Sequence, residues 1–254
     1  MINSVNILGA GNVATHIAKE LKGKLEIRQI LSRTYESAQI LANEVGAEAV
    51  RNIKNIEPAD LTIVSISDDS IVDVISELPK ELNVVHTSGS IGMEVLAKFD
   101  QYGILYPLQS FSKNREVNFN DIPILIEGVN QDYEQYLTLF CKEFLSKKIV
   151  SVNSEKRAAI HLAAVIANNF TTALLAESEQ ILLKNDIDFD ILKPLLLETI
   201  HKVFRNGARE SLTGPAARGD QKVMDVQMKS LESDQMKMIY RQMSEMIQKL
   251  KVNS

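Results

Sequence analysis

The chain has one cysteine, no tryptophan and six prolines in 254 residues. One cysteine excludes an intramolecular disulfide and leaves no thiolate cluster for zinc or iron–sulfur chemistry. Positive charge is not in excess: 28 Lys and Arg face 33 Asp and Glu, a net charge of −5. That balance offers no basic field to nucleic acid or anionic lipid. No stretch reads as the roughly twenty consecutive apolar residues of a membrane span. Repeats and low-complexity runs are missing, and the first residues read as a core strand rather than a leader. Cys141 falls inside a predicted helix over residues 133–145, where a thiol behaves as a small buried apolar group. The expectation is a cytoplasmic globular protein with no metal, nucleic-acid or membrane partner. At this length it holds one large domain or two moderate ones.

What is present begins at once. An apolar strand over residues 2–8 runs into Gly9-Ala10-Gly11-Asn12-Val13-Ala14. This is the G-x-G-x-x-A pattern of a dinucleotide-binding βαβ unit. Gly9 permits the tight turn, Gly11 lets a diphosphate approach the backbone, and Ala14 lets the helix pack on the sheet. The helix that follows, about residues 12–21, points its free amides and positive end at the phosphates. The second strand, residues 25–31, ends in Ser32-Arg33-Thr34. An acid here binds the ribose 2′-hydroxyl of NAD; a guanidinium with two hydroxyls suits the 2′-phosphate of NADP. NADP is therefore the expected cofactor, against the alternative that Arg33 is a solvated loop charge.

Strand and helix alternate up to about residue 152, which predicts a doubly wound, mostly parallel sheet. Further strands are read at 60–66, 83–86, 104–107, 122–126 and 148–152, with helices at 35–45, 71–78 and 133–145. Gly46 closes the first of these helices, and Ser67, Asp68 and Asp69 start the second. Ligands of such sheets sit beyond the strands' carboxyl ends. Ile66, Ser67, Asp68, Thr87 and Ser88 are thus candidate cofactor contacts, and Ser88, Gln109 and Ser110 candidate substrate contacts.

After Ser154 the pattern turns helical. Residues 155–184 contain no glycine or proline and read as one long helix capped by Ser154. A second helix spans 188–204, with Pro194 forcing a late start or a kink. A final helix over 221–251 carries six of the eight methionines, either as adaptable core filler or as a dimer face. The expected plan is an α/β Rossmann domain over residues 1–152 and an all-helical substrate and dimerisation domain over 153–254. On the long helix, His161 and Asn168 stand two turns apart, about 10.5 Å along the axis. With Asn169 they form a candidate catalytic group, His161 as general acid and an Asn fixing a carbonyl or carboxylate. Two adjacent Asn on an apolar helix are locally disfavoured, which is where function overrides local preference. The alternative is a satisfied core histidine and backbone-binding asparagines. His16, His86 and His201 read as structural or exposed.

The order GAGNVA, SRT, HTSGS (His86–Ser90), YPLQSF (Tyr106–Phe111), HLAAVIANNF (His161–Phe170) and LTGPAARGD (Leu212–Asp220) resembles, over essentially the whole chain, a bacterial family with a Rossmann-like NADP-binding half and a C-terminal helical domain of unknown function. The N-terminal half is similar to pyrroline-5-carboxylate reductases and deazaflavin-coenzyme-dependent NADP oxidoreductases. The two-domain plan resembles the 6-phosphogluconate and β-hydroxyacid dehydrogenases. These resemblances imply an NADP-dependent hydride transfer on a small carbonyl or imine held between the two domains, and a homodimer formed through the helical domain. They also mark a departure: the β-hydroxyacid dehydrogenases carry Lys-x-x-x-Asn on the corresponding helix, and here Ala164 and Val165 stand four residues before Asn168 and Asn169. His161 is the nearest replacement for that lysine. Arg218 is a candidate carboxylate contact, and Asp220 a candidate cap of the last helix. A non-catalytic dinucleotide-binding sensor or scaffold remains the alternative.

Overall fold

The structure, a computed structural model, describes residues 2–252. By contacts it divides into one compact unit through Thr172 and another from Ala173 onward. The change of character comes earlier in the chain: the last strand ends at Ser151, and helices alone follow from Ser154.

The first unit is an eight-stranded sheet. In chain order the strands are β1 (Ser4–Leu8), β2 (Glu26–Leu31), β3 (Glu48–Val50), β4 (Leu61–Val64), β5 (Val84–His86), β6 (Tyr102–Pro107), β7 (Ile124–Gly128) and β8 (Ile149–Ser151). Across the sheet they run β3-β2-β1-β4-β5-β6-β7-β8. The chain builds outward from β1 to β3, then returns to β4 beside β1 and builds the other way. That reversal is the switch point of a doubly wound sheet. Every pairing from β3 to β6 is parallel, whereas β7 lies antiparallel to β6.

The strand residues alternate between the sheet's two faces, as the period of two requires. Val5, Ile7, Ile63 and Val85 join one apolar cluster with Ile17 and Leu21 of α1 (Asn12–Leu21). Leu8, Val64 and Val84 join the other with Ile71 and Ile75 of α2 (Asp68–Glu77). Because both faces are covered, the central strands are apolar throughout. Cys141 is fully buried in the helix Gln131–Phe144.

Four expectations need correction, the fourth on the long helix described below. β3 was not foreseen, being three residues long at the sheet's edge and carrying an exposed Glu48. Asn153, not Ser154, caps the long helix: its side chain accepts from the Lys156 amide. The final helix breaks into Gln221–Ser230 and Asp234–Val252.

The long helix runs Ser154–Leu183 as α-helix, a π-helical segment at Val165–Phe170, and α-helix again. By length and composition it is apolar enough to cross a membrane, against the reading that no such stretch exists. His161, Asn168, Asn169 and Thr172 are polar positions scattered along this apolar run.

In the second unit Pro194 sits in the first turn of the helix Lys193–Asn206, so that helix starts late and does not kink. Asp220 caps Gln221–Ser230, its carboxylate accepting from the Val223 amide. Among the described residues of this unit, only Ala216 and Met224 are buried hydrophobics.

Candidate active site

The glycine turn leaves β1 with Gly9 at φ +128°, a conformation that L side chains rarely adopt. A Cβ there would lie 1.9 Å from the Ser65 carbonyl oxygen. Gly9 donates its amide to the Leu31 carbonyl, locking the turn between its neighbouring strands. At Gly11 the opposite holds: a Cβ would meet nothing within 4 Å. Gly11 is also the N-cap of α1 and supplies no side chain to the first amides of the helix. Ala14 is completely buried. One glycine is closed off by protein, the other opens onto free space beside unused amides, and this is the cradle a diphosphate fits.

Asn12 and His16 tie this turn to the segment after β6. The Asn12 amide donates to the Phe111 carbonyl at 2.8 Å. The His16 ring lies 2.8 Å from the Asn12 carbonyl, 2.9 Å from that of Arg115, and packs on Phe111. The Asn12 side chain, a candidate cofactor contact, is thus occupied in holding the loop. Val13 is half-buried beside it, packed against the core.

At the end of β2, Ser32 is half-buried while Arg33 and Thr34 are exposed. The Thr34 hydroxyl donates to Ser37, and Thr34 precedes the helix α3 (Tyr35–Val45). No acid stands at residues 32–35. At the ends of β4 and β5, Ile66 is half-buried, Ser67 faces Ser70, and Asp68 accepts from the Ser90 hydroxyl. Thr87 and Ser88 are nearly buried. Thr87 donates to the Ser65 hydroxyl, and the Ser88 hydroxyl accepts from the amides of Ser90 and Ile91. Both hydroxyls are committed to the shape of the loop.

His86, at the end of β5, is fully buried, and desolvation lowers its pKa to about 4. Its Nδ1 accepts from the Ser88 amide, so the ring is neutral with the proton on Nε2, facing the Gly92 carbonyl.

A second polar pair meets at the same edge of the sheet. The Tyr106 hydroxyl of β6 lies 2.9 Å from Nδ1 of His161 on the long helix, the rings edge to face. Burial raises the Tyr106 pKa, so the phenol keeps its proton. Gly89 makes the contact possible: a Cβ there would lie 2.5 Å from His161 Nδ1. The Nε2 of His161 has no hydrogen-bond partner among the described residues. The sequence reading singles out His161 but not its neighbours Tyr106 and Gly89, which lie in the YPLQSF and HTSGS segments.

Arg157, one turn before His161, fixes the start of the helix. It is 1% exposed; its guanidinium donates to Glu127 of β7, to the Ile91 carbonyl and to Ser154. Ser154 in turn donates its amide and hydroxyl to Glu127 and accepts from the Met93 amide. This network ties the helix to the loop carrying Ser88 and Gly89.

Asn168 and Asn169 lie exposed within the π-helical segment. A π turn holds an extra residue, so the seven-residue spacing from His161 is no longer two α-turns, and the expected common face is altered. Such turns occur frequently at functional sites. Gln109 and Ser110 form an exposed turn in which Gln109 accepts from the Ser110 amide. Arg218 ends the short helix Pro215–Arg218 of the second unit and is exposed.

A glycine turn that opens onto a helix N-terminus at the sheet's switch point is the arrangement of a dinucleotide-binding Rossmann fold. Residues 4–88 match the family described as NADP oxidoreductase, coenzyme F420-dependent. Residues 122–247 match DUF2520, a domain of unknown function. A Bacteroides fragilis protein assigned as an NADP oxidoreductase is 36% identical, with 98% of each chain covered and a TM-score of 0.89. The chain belongs to this family of oxidoreductases, which joins a Rossmann-like half to the DUF2520 helical domain. Imine reductase from Pseudomonas sp. shares the fold at 19% identity, with 98% and 94% of the chains covered and a TM-score of 0.71. Pyrroline-5-carboxylate reductase from Streptococcus pyogenes shares it at 15% identity, with 98% of each chain covered and a TM-score of 0.64. No curated protein gave a match.

Proposed function

We propose that this protein is an NADP-dependent reductase of a small carbonyl or imine compound, with His161 as the proton donor. The observation that carries the reading is the Tyr106–His161 pair near the carboxyl end of β6, the sheet edge on which the glycine turn after β1 also lies. Gly11 and the first amides of α1 would hold the diphosphate, and Arg33 with Ser32 and Thr34 the 2′-phosphate. When bound, the nicotinamide supplies the hydride.

The chain's own residues supply the proton. In its imidazolium form His161 donates Nδ1–H to the Tyr106 oxygen and holds a second proton on Nε2, the nitrogen without a partner. That proton passes to the carbonyl oxygen or imine nitrogen as hydride reaches the neighbouring carbon, leaving a neutral imidazole that solvent reprotonates. Arg157 and Gly89 position the imidazole. Asn168 and Asn169 orient the substrate's polar groups.

The helical unit pairs with a second copy of the chain. Its exposed Ile191, Leu195 and Phe204 support this reading, since so much apolar surface is rarely left to water. The single buried cysteine accords with a reducing cytoplasm.

The test is NADPH oxidation screened against keto acids, aldehydes, cyclic imines and a deazaflavin acceptor. On the substrate found, His161→Ala lowers kcat by about 100-fold or more while NADPH affinity stays within about twofold. NADPH binding without turnover on any substrate, or turnover indifferent to His161, sinks the reading. Arg33→Ala weakens NADPH and spares NADH; equal losses overturn the 2′-phosphate assignment.

A further inference from the structure

The unforeseen strand β3 changes the rim of the cofactor site. It runs parallel to β2, with Val50 paired to Leu31. One residue further along each strand stand Arg51 and Ser32, leaving the sheet side by side in the same direction. The segment Ser32-Arg33-Thr34 therefore borders a second guanidinium, contributed from eighteen residues downstream of Arg33.

Arg51 is held in a defined pose. Its guanidinium carbon lies 3.6 Å from the ring centroid of Tyr35, the first residue of α3. Stacking at that distance fixes the guanidinium plane and leaves its edge N–H groups free for an in-plane acceptor. Arg51 is exposed, and among the described residues neither it nor Arg33 forms an ion pair. Of the acids nearest in sequence, Glu36 lies in the first turn of α3 and Glu48 on β3, where it accepts from the Gln29 side chain. A planar, pre-oriented cation beside a second one, at the mouth of neighbouring parallel strands, suits a dianionic phosphate bound by two forks.

We propose that Arg51, stacked on Tyr35, is a second specificity-determining residue for the 2′-phosphate of the adenine-side ribose, acting together with Arg33. The proposal rests on the NADP reading above and names a residue that reading did not contain.

The experiment titrates the full chain calorimetrically with 2′,5′-ADP and with 5′-AMP, which differ only in that phosphate and need no turnover. The unaltered protein prefers 2′,5′-ADP. Arg51→Ala weakens 2′,5′-ADP by about tenfold or more and leaves 5′-AMP within about twofold. Arg51→Lys retains part of the preference, because it keeps the charge and loses the fork. Tyr35→Leu gives a smaller, equally selective loss. If Arg51→Ala weakens both ligands alike, or neither, while Arg33→Ala abolishes the preference, this inference is overturned and the NADP reading stands. If the unaltered protein binds both ligands equally, the NADP reading falls and this inference falls with it.

Discussion

The two units treat their apolar residues in opposite ways. In the sheet unit Val5, Ile7, Ile17, Leu61, Ile63, Val85 and Leu105 are all at 0% exposure. In the helical unit Phe204 is 87% exposed, and the buried hydrophobics among the described residues are Ala216 and Met224. The sheet covers both faces with helices and completes its core alone. The helices of the second unit leave much of their apolar surface uncovered, Ile191, Leu195 and Phe204 among it. The difference teaches where apolar surface is used up and where it is left: the glycine turn rests on a closed core, whereas the helical unit keeps its apolar side chains exposed.

The comparison breaks most severely at Gly9. Gly9→Ala drives a methyl into the Ser65 carbonyl and imposes φ +128° on an L residue. We expect a loss of about 4 kcal/mol of stability and of NADPH binding, read by urea unfolding and by titration. Unchanged stability would mean that the turn is not locked against β4.

His86 sharpens the comparison through pH. Folded, it titrates near 4; unfolded, near 6.5. Between those values the unfolded chain binds a proton that the folded chain refuses, so acid favours unfolding. The contribution of neutral His86 is full above pH 6.5 and is lost as the pH falls toward 4. It amounts to at most about 3 kcal/mol. Urea midpoints measured across this range fall with pH, and His86→Asn flattens the slope. A slope unaltered by that change would assign the acid sensitivity elsewhere.

The smallest effect probes the open side. Phe204→Glu weakens self-association by about 1.5–3 kcal/mol, the worth of one buried aromatic, and leaves the unfolding of the sheet unit unchanged. Sedimentation of the variant and the unaltered chain measures it. Equal dimerisation in the two would place the pairing surface away from Phe204.

Much of the sheet unit was legible because its signals are local. A glycine where the turn needs one and β-branched strands between turn residues are written within a few residues of each other. β3 escaped because three residues with a Glu among them carry no periodicity, and Arg51 escaped with it. Tyr106 and Gly89 escaped for another reason: their meaning lies in a contact with His161, which is 55 residues from Tyr106.

The sequence by itself determined the alternation of strands and helices, the glycine turn and the helical character of the second half, since hydrophobic period and backbone freedom are properties of short segments. Only the tertiary structure decided that β7 reverses, that the Asn pair sits in a π turn, that Arg157 is buried against Glu127, and that Arg51 stacks on Tyr35. Each of these depends on which distant segments share space, and that follows from packing the whole sheet at once rather than from any stretch read alone.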